Sequence, residues 1–212
     1  MTITDGRRAR GDASRRLVLE RATQLASVEG LDGVTLGTLA AESGRSKSSI
    51  ATLFGDKQQL QLATIEAAAE VFQSHVVEPA RAHPHGAARV AALLAAMLAY
   101  SRDRVFAGGC FFAAVSADLD SKPGAAADAV RAWMRRWYAY VEHQLRLAIE
   151  ASELDAGTDA AQLGFELLAL AEAANLRSLL TGGAEPYAHA ASAIRSRLAA
   201  CGAAREALVP LG

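Results

Sequence analysis

The sequence predicts an all-α fold, and three observations carry that prediction. The chain is 51% apolar but only 6% aromatic, and much of the apolar fraction is Ala, the best helix former. Proline is scarce, at 5 in 212 residues. No long run alternates apolar and polar residues as a half-buried strand would. Within that class, the pattern predicts a disordered basic arm over residues 1–11, a three-helix helix-turn-helix unit over 12–56, and a larger helical bundle over 57–212.

Residues 1–11 are Arg- and Gly-rich and lack apolar periodicity, which predicts the arm. Asp12 is a candidate N-cap for a first helix over Ala13 to Glu29, with Val18, Ala22, Leu25 and Ala26 as its apolar stripe and Gly30 at its end. Thr35 caps a second helix, Leu36 to Ser43, whose inward residues are Leu36, Leu39 and Ala40, and Gly44 ends it. Ser46 caps a third, Lys47 to Leu53, with Ile50, Leu53 and Phe54 inward. Asp56 followed three residues later by Gln59 has the spacing of a capping box for a fourth, Lys57 to about Glu78. Pro79 is expected to kink or stop that helix. His83-Pro84-His85-Gly86 predicts a break. Further helices follow over Ala87 to Arg102, Cys110 to Asp118, Gly124 to Ala151, Asp159 to Thr181 and Pro186 to Cys201.

The formal net charge of −1 announces no polyanion binder, but its distribution is uneven. Residues 1–60 carry nine Lys and Arg against seven Asp and Glu, and Arg7, Arg8, Arg10, Arg15 and Arg16 lie close together. A local patch of this kind sets an electrostatic footprint, and equally describes a solvated tail. Cys110 and Cys201 stand far apart in no metal-binding or redox spacing, as suits a reducing cytosol. The N-terminus lacks the apolar core of a signal peptide, and Ala87 to Tyr100 is too short for a membrane span. A cytoplasmic protein with no membrane association is expected.

The stretch Val34 to Leu60 concentrates the chemistry. A helix-turn-helix needs a residue tolerant of positive φ in its turn, and Gly44 supplies it. It needs a small residue where the helices approach, and Ala40 supplies that. The second helix then presents Lys47, Ser48, Ser49 and Thr52 outward. Three helix N-termini, capped by Thr35, Ser46 and Asp56, fall close together in sequence, and such termini attract phosphate through free N–H groups and the helix dipole.

Residues Leu17 to Ile65 resemble the N-terminal domain of TetR-family transcriptional regulators. The likeness rests on Ala22 and Gly30, on the Val34-Thr35-Leu36 entry, and on Leu39-Ala40, Gly44 with Ser46, Phe54, Lys57 and Leu60, in the family's order and spacing. Gly108-Gly109-Cys110-Phe111 is similar to a segment of some members. The resemblance implies a DNA-binding regulator, most simply a repressor. Ser46, Lys47, Ser48, Ser49 and Thr52 would then lie in or beside the major groove, Arg45 and Lys47 would reach a base edge or phosphate, and Thr35 and Lys57 would contact phosphates. One departure is Ala51, where the family usually carries a phosphate-contacting Tyr; Arg45 is a candidate to compensate.

In the bundle, Trp133 and Trp137 share a helix face at i and i+4, and Met97, Tyr100, Phe111 and Phe112 lie nearby in sequence. Core packing accounts for such residues, and so does an apolar ligand pocket between helices. The helix Asp159 to Thr181 is apolar around most of its circumference, with Phe165 among its large residues and Glu172, Asn175 and Arg177 as polar interruptions. It needs cover on both sides, from within the chain or from a second copy. The resemblance implies a homodimer through this helix and the last one, a palindromic DNA site, and a small, hydrophobic effector; the residues this chain offers for it are Met97, Tyr100, Phe111, Phe112, Trp133, Trp137, Phe165 and Glu172, with Glu172, like Asn175 and Arg177, equally able to serve as an interface hydrogen-bonding group.

No metal or cofactor site is expected: the five His include no HExxH, Glu142 and His143 are adjacent and so face apart, and no Gly-rich phosphate loop occurs. An enzyme is therefore not expected. The main alternative to a regulator is a helical small-molecule-binding or protein-interaction module with weak or lost DNA binding.

Overall fold

Local chemistry at the helix ends decides most of the element boundaries. The computed structural model describes the backbone of residues 3–212 and the side chains of residues 11–212. Ten α-helical segments are described: α1 Ile3–Gly33, α2 Leu36–Ser43, α3 Lys47–Phe54, α4 Lys57–Phe72, α5 Glu78–Ala80, α6 Ala87–Arg102, α7 Phe111–Leu119, α8 Ala125–Glu150, α9 Ala160–Thr181 and α10 Glu185–Ala200. A π-helical turn, Gln73–Val77, joins α4 to α5, and a 3₁₀ helix, Arg205–Leu211, follows α10. Among the described residues there is no β-strand, and the fold is all-α as expected.

Two differences at the ends of α1 and α4 have physical causes. The helix α1 begins at Ile3, so the segment expected as an unstructured arm up to residue 11 is helical over its described part. Its Ala and Arg residues favour helix, and that preference carries the backbone through Gly11, which costs only about 1 kcal/mol relative to Ala. Asp12 therefore lies inside the helix and is no cap. Near the other end, Gly30 breaks helical geometry at φ 73°, and the chain turns toward α2. The helical run that begins with α4 continues past Pro79 to Ala80, through a π-helical turn and α5. The turn before Pro79 widens, with the Glu78 N–H reaching Gln73 O five residues back, and Pro79 sits in the first turn of α5, where no helical donor is missed.

The chain divides into two compact units: residues 1–70 with 106–131, and residues 71–105 with 132–212. This differs from a boundary at residue 56. The first unit takes in a segment from the middle of the sequence because α7 packs along α1. Val18, Ala22, Ala26, Leu31, Val34, Leu39, Ile50, Phe54 and Leu60 form its core together with Phe106, Phe111, Phe112 and Val115. The closest approach is at Gly108. Its N–H donates to Ser27 Oγ at 3.0 Å, and a Cβ at this position would stand 1.8 Å from Ser27 O. No side chain fits against a backbone carbonyl at that distance. Gly109, at φ 79°, then closes a tight turn whose N–H reaches Phe106 O at 2.8 Å.

In the second unit, α9 and α10 pack together, and α6 packs against both and against the 3₁₀ helix. That 3₁₀ helix lies beyond the expected elements; Leu208 and Leu211 bury its apolar side. The His83–Gly86 break is held by two buried polar side chains. Arg89 Nε donates to His83 O at 2.8 Å, and Gln144 Oε1 accepts the Gly86 N–H at 3.4 Å. Arg104, two residues beyond the end of α6, has positive φ, at 51°, and donates to Ser178 Oγ on α9 at 2.9 Å and to Tyr187 Oη on α10 at 3.3 Å.

Replacement of Gly108 by Ala forces α7 off α1. The expected cost is about 1–3 kcal/mol or more, as for overpacked cores, visible as a lowered urea midpoint, whereas Gly157→Ala, with nothing within 4 Å of the added atom, leaves the midpoint nearly unchanged.

Candidate functional site

The helix-turn-helix is assembled from short polar side chains acting on backbone. Thr35 Oγ1 accepts the Thr38 N–H at 3.0 Å, and Thr38 Oγ1 accepts the Thr35 N–H at 2.9 Å, a reciprocal capping box at the start of α2. Thr38 escaped the sequence reading because this box usually closes with Glu or Gln. Gly44 adopts φ 62°, ψ 24°, and the following Arg45 N–H returns to Ala40 O at 3.0 Å. Ser46 Oγ accepts the Ser49 N–H at 3.2 Å and lies 3.0 Å from Ser48 Oγ, which fixes the first turn of α3.

One face of α3 buries Ile50 and Phe54. The other exposes Ser46, Lys47, Ser48 and Thr52, with Ser49 half-buried. Thr52 Oγ1 donates back to Ser48 O at 2.9 Å and so keeps only acceptor capacity outward. Lys47 forms no ion pair among the described residues. The result is a protruding helix start that carries hydroxyls, one unpaired ammonium and, at Ala51, only a half-buried methyl.

The arginines divide otherwise than their spacing suggests. Arg45 is half-buried and donates to Ser14 Oγ on α1 at 3.3 Å. Arg15, grouped by sequence with the basic arm, stacks its guanidinium 4.5 Å over the Phe54 ring and donates to Leu53 O at 2.8 Å. It thereby satisfies a terminal carbonyl of α3 and fastens that helix to α1. No local sequence signal marks this role, since Arg15 and Leu53 lie 38 positions apart. The side chains of Arg7, Arg8 and Arg10 lie outside the described residues.

Lys57 opens α4 and pairs with Asp32 at 3.4 Å. The other Asp32 oxygen lies 2.9 Å from Lys122 Nζ, and Lys122 also meets Asp118 at 2.6 Å. Asp118 in turn accepts the Leu31 N–H at 3.0 Å. Hydrogen bonds from Lys122 and then Lys57 hold the Asp32 carboxyl below the usual carboxylate range.

The residues expected around an effector fall into three groups. Tyr100, Trp133 and Trp137 surround Phe72 in the second unit, with ring centroids at 5.5, 4.9 and 4.9 Å in edge-to-face geometry. Met97 is buried on α6, one turn before Tyr100. Trp137 is 5% exposed, and its indole Nε1 is buried with no hydrogen-bond acceptor. Phe111 and Phe112 belong to the first unit, where they pack with each other and Phe111 packs with Phe106. Sequence proximity grouped them with the tryptophans; the docking of α7 on α1 separates them. Phe165 is 71% exposed on α9. With Glu172, Tyr138 and Leu168 it lines a groove of about 210 Å³ in the second unit. Burial pushes the Glu172 carboxyl up, against a hydrogen bond from Tyr138 Oη at 3.3 Å. Phe72 and Tyr138 were not among the expected effector residues.

Among the described residues no group of three or more His, Cys, Asp and Glu is placed to hold a metal ion, and no helix is long and apolar enough to cross a membrane.

Residues 86–194, just over half of the chain, match the family described as Tetracyclin repressor-like, C-terminal domain. No curated protein sequence matches the chain. Several solved structures share its fold. A TetR transcriptional regulator from Chloroflexus aurantiacus superposes with a TM-score of 0.83 at 24% identity, over 90% of this chain and 96% of that one. A TetR-family regulator from Cytophaga hutchinsonii gives 0.77 at 19%, over 91% and 96%. AibR, solved in complex with isovaleryl coenzyme A and operator DNA, gives 0.63 at 16%, over 74% and 83%. A helix-turn-helix with a polar, outward-facing α3, followed by a bundle that matches the family over residues 86–194, places the chain in the TetR family of ligand-responsive, DNA-binding transcriptional regulators, which are not enzymes.

Proposed function

We propose that the protein is a homodimeric cytoplasmic repressor that grips a palindromic operator through α3 and releases it when a small, hydrophobic effector binds the second unit. The observation that carries this reading is the surface at the start of α3: a capped N-terminus whose exposed groups are short hydroxyls and an unpaired lysine. Short side chains let a helix sit deep in the major groove, while the free N–H groups and the ammonium favour phosphate or the acceptor edge of guanine. Thr35 and Lys57, at the starts of α2 and α4, are the phosphate contacts in this reading, and Arg45, in the turn before α3, is tied to Ser14 on α1.

Self-association is supported by α9, which leaves Phe165, Leu176, Leu179 and Leu180 between 43% and 78% exposed. A run of large apolar groups on one helix is unusual on a monomer and suits burial against a second copy. An effector with an apolar body is supported by Met97, Tyr100, Trp133 and Trp137, and Glu172 with Phe165 marks a second polar-and-apolar location on α9. AibR offers a precedent for a protein of this fold holding both an acyl coenzyme A and operator DNA. The effector acts only if it binds the DNA-competent and DNA-incompetent states unequally.

Selection of bound duplexes from a random pool is expected to return a palindrome with half-sites about 34–36 Å apart or a multiple of that, and Lys47→Ala is expected to cost about 1–3 kcal/mol per half-site with an unchanged thermal melt. Recovery of no preferred sequence would reject the reading. In sedimentation, Leu176→Glu combined with Leu180→Glu is expected to convert a dimer to a folded monomer with much weaker operator binding; a dimer unaffected by both charges would place the interface elsewhere.

A further inference from the structure

Four charged side chains in the first unit form one chain of contacts, and none of them is buried in a core. Asp118, on α7, accepts the Leu31 N–H at 3.0 Å and contacts Lys122 at 2.6 Å. Lys122, just after α7, contacts Asp32 at 2.9 Å. Asp32, in the turn after Gly30, contacts Lys57 at 3.4 Å. The same turn is fixed from two further directions. Gln61 Nε2 donates to Leu31 O at 2.7 Å, and a Cβ on Gly30 would stand 2.7 Å from the Asp118 carboxyl. Asp32 therefore sits on a backbone with little freedom, and its two oxygens are divided between two ammonium groups.

We propose that Asp32 is a positioning residue for DNA binding: it competes with a DNA phosphate for Lys57, and Lys122 weakens that competition by claiming the other half of the Asp32 carboxylate. The inference rests on the reading of Lys57 as a phosphate contact. The distances give the order of strength, since Lys122 holds Asp32 at 2.9 Å and Lys57 at 3.4 Å. The causes that hold the Asp32 carboxyl low rank the same way, Lys122 before Lys57. A carboxylate that satisfies Lys122 attracts Lys57 less, and leaves the Lys57 ammonium available to another anion. Removal of Lys122 returns the whole charge of Asp32 to Lys57. The segment after α7 thus tunes a group at the start of α4, although 65 positions separate Lys122 from Lys57.

The test is a set of double-mutant cycles on the full-length protein, read as affinity for its selected operator duplex. Asp32→Asn is expected to tighten binding about three- to fivefold and Lys122→Gln to weaken it by a similar factor, the range of exposed ion pairs. Two backgrounds separate this from a general change of charge. In Asp32→Asn, the effect of Lys122→Gln is expected to vanish; in Lys57→Gln, the effect of Asp32→Asn is expected to vanish. Glu42→Gln, an exposed acid on α2, serves as the charge control, and its effect persists in both backgrounds. Effects of Asp32→Asn and Lys122→Gln that persist undiminished in the paired backgrounds would overturn the proposal, as would a Lys57→Gln variant that binds the operator like the wild type. Failure of the wild type itself to prefer any duplex is a separate result, and overturns the DNA-binding reading on which the proposal stands.

Discussion

The backbone of residue 108 rests on the backbone of residue 27, and the arrangement of the first unit follows from that contact. With Ser27 O where a Cβ would be, the segment leading into α7 lies directly against the backbone of α1. The surrounding bonds depend on that approach: Ala107 N–H reaches Gln24 Oε1 at 2.9 Å, and Asp118 reaches the Leu31 N–H. Because α1 also carries Arg15 and Ser14, which hold α3 and Arg45, one helix connects the docked segment to the candidate reading head. A helix only eight residues long has little stability of its own. Its geometry is supplied by Arg15, by Ser46 at its start and by the burial of Ile50 and Phe54.

What was legible in the sequence was what local chemistry determines. The bounds of α2 and α6 are those expected, and α3, α7, α8, α9 and α10 fall within a residue or so of expectation. Thr35 and Ser46 cap as their types and positions suggested, Asp159, expected as the first helical residue, is the N-cap of α9, and Gly44 and Gly182 adopt left-handed conformations. These features depend on residues a few positions apart, so periodicity and capping rules reach them. The start of α1 was missed because Asp12 has the right type for a cap while the backbone upstream continues as helix.

The longer-range organisation was not legible in the same way. Asp118 and Lys122 are four positions apart, as helical ion pairs are, but nothing in the spacing of Asp32 and Lys57 announces that both join them, and Arg15 reads as part of a basic run until Phe54 is found beneath it. The aromatic residues illustrate the limit most clearly. Trp133 and Trp137 do share a face and a common neighbour, because helical spacing guarantees the first and favours the second. Phe111 and Phe112, close to them in sequence, lie in the other unit, and Phe165 faces outward. Sequence distance along a helix is a physical distance; across a loop it is not.

The polar start of α3 is proposed to grip duplex DNA by charge and by groove contacts together. The most direct measurement is the binding constant over a salt series, for the selected operator and for an unrelated duplex of the same length. Release of counterions from each neutralised phosphate predicts a linear fall of log K with log salt, with a slope near −0.9 for each phosphate contact, and a preference for the operator that survives at the highest salt. Binding that is flat in salt and equal for both duplexes would contradict the account.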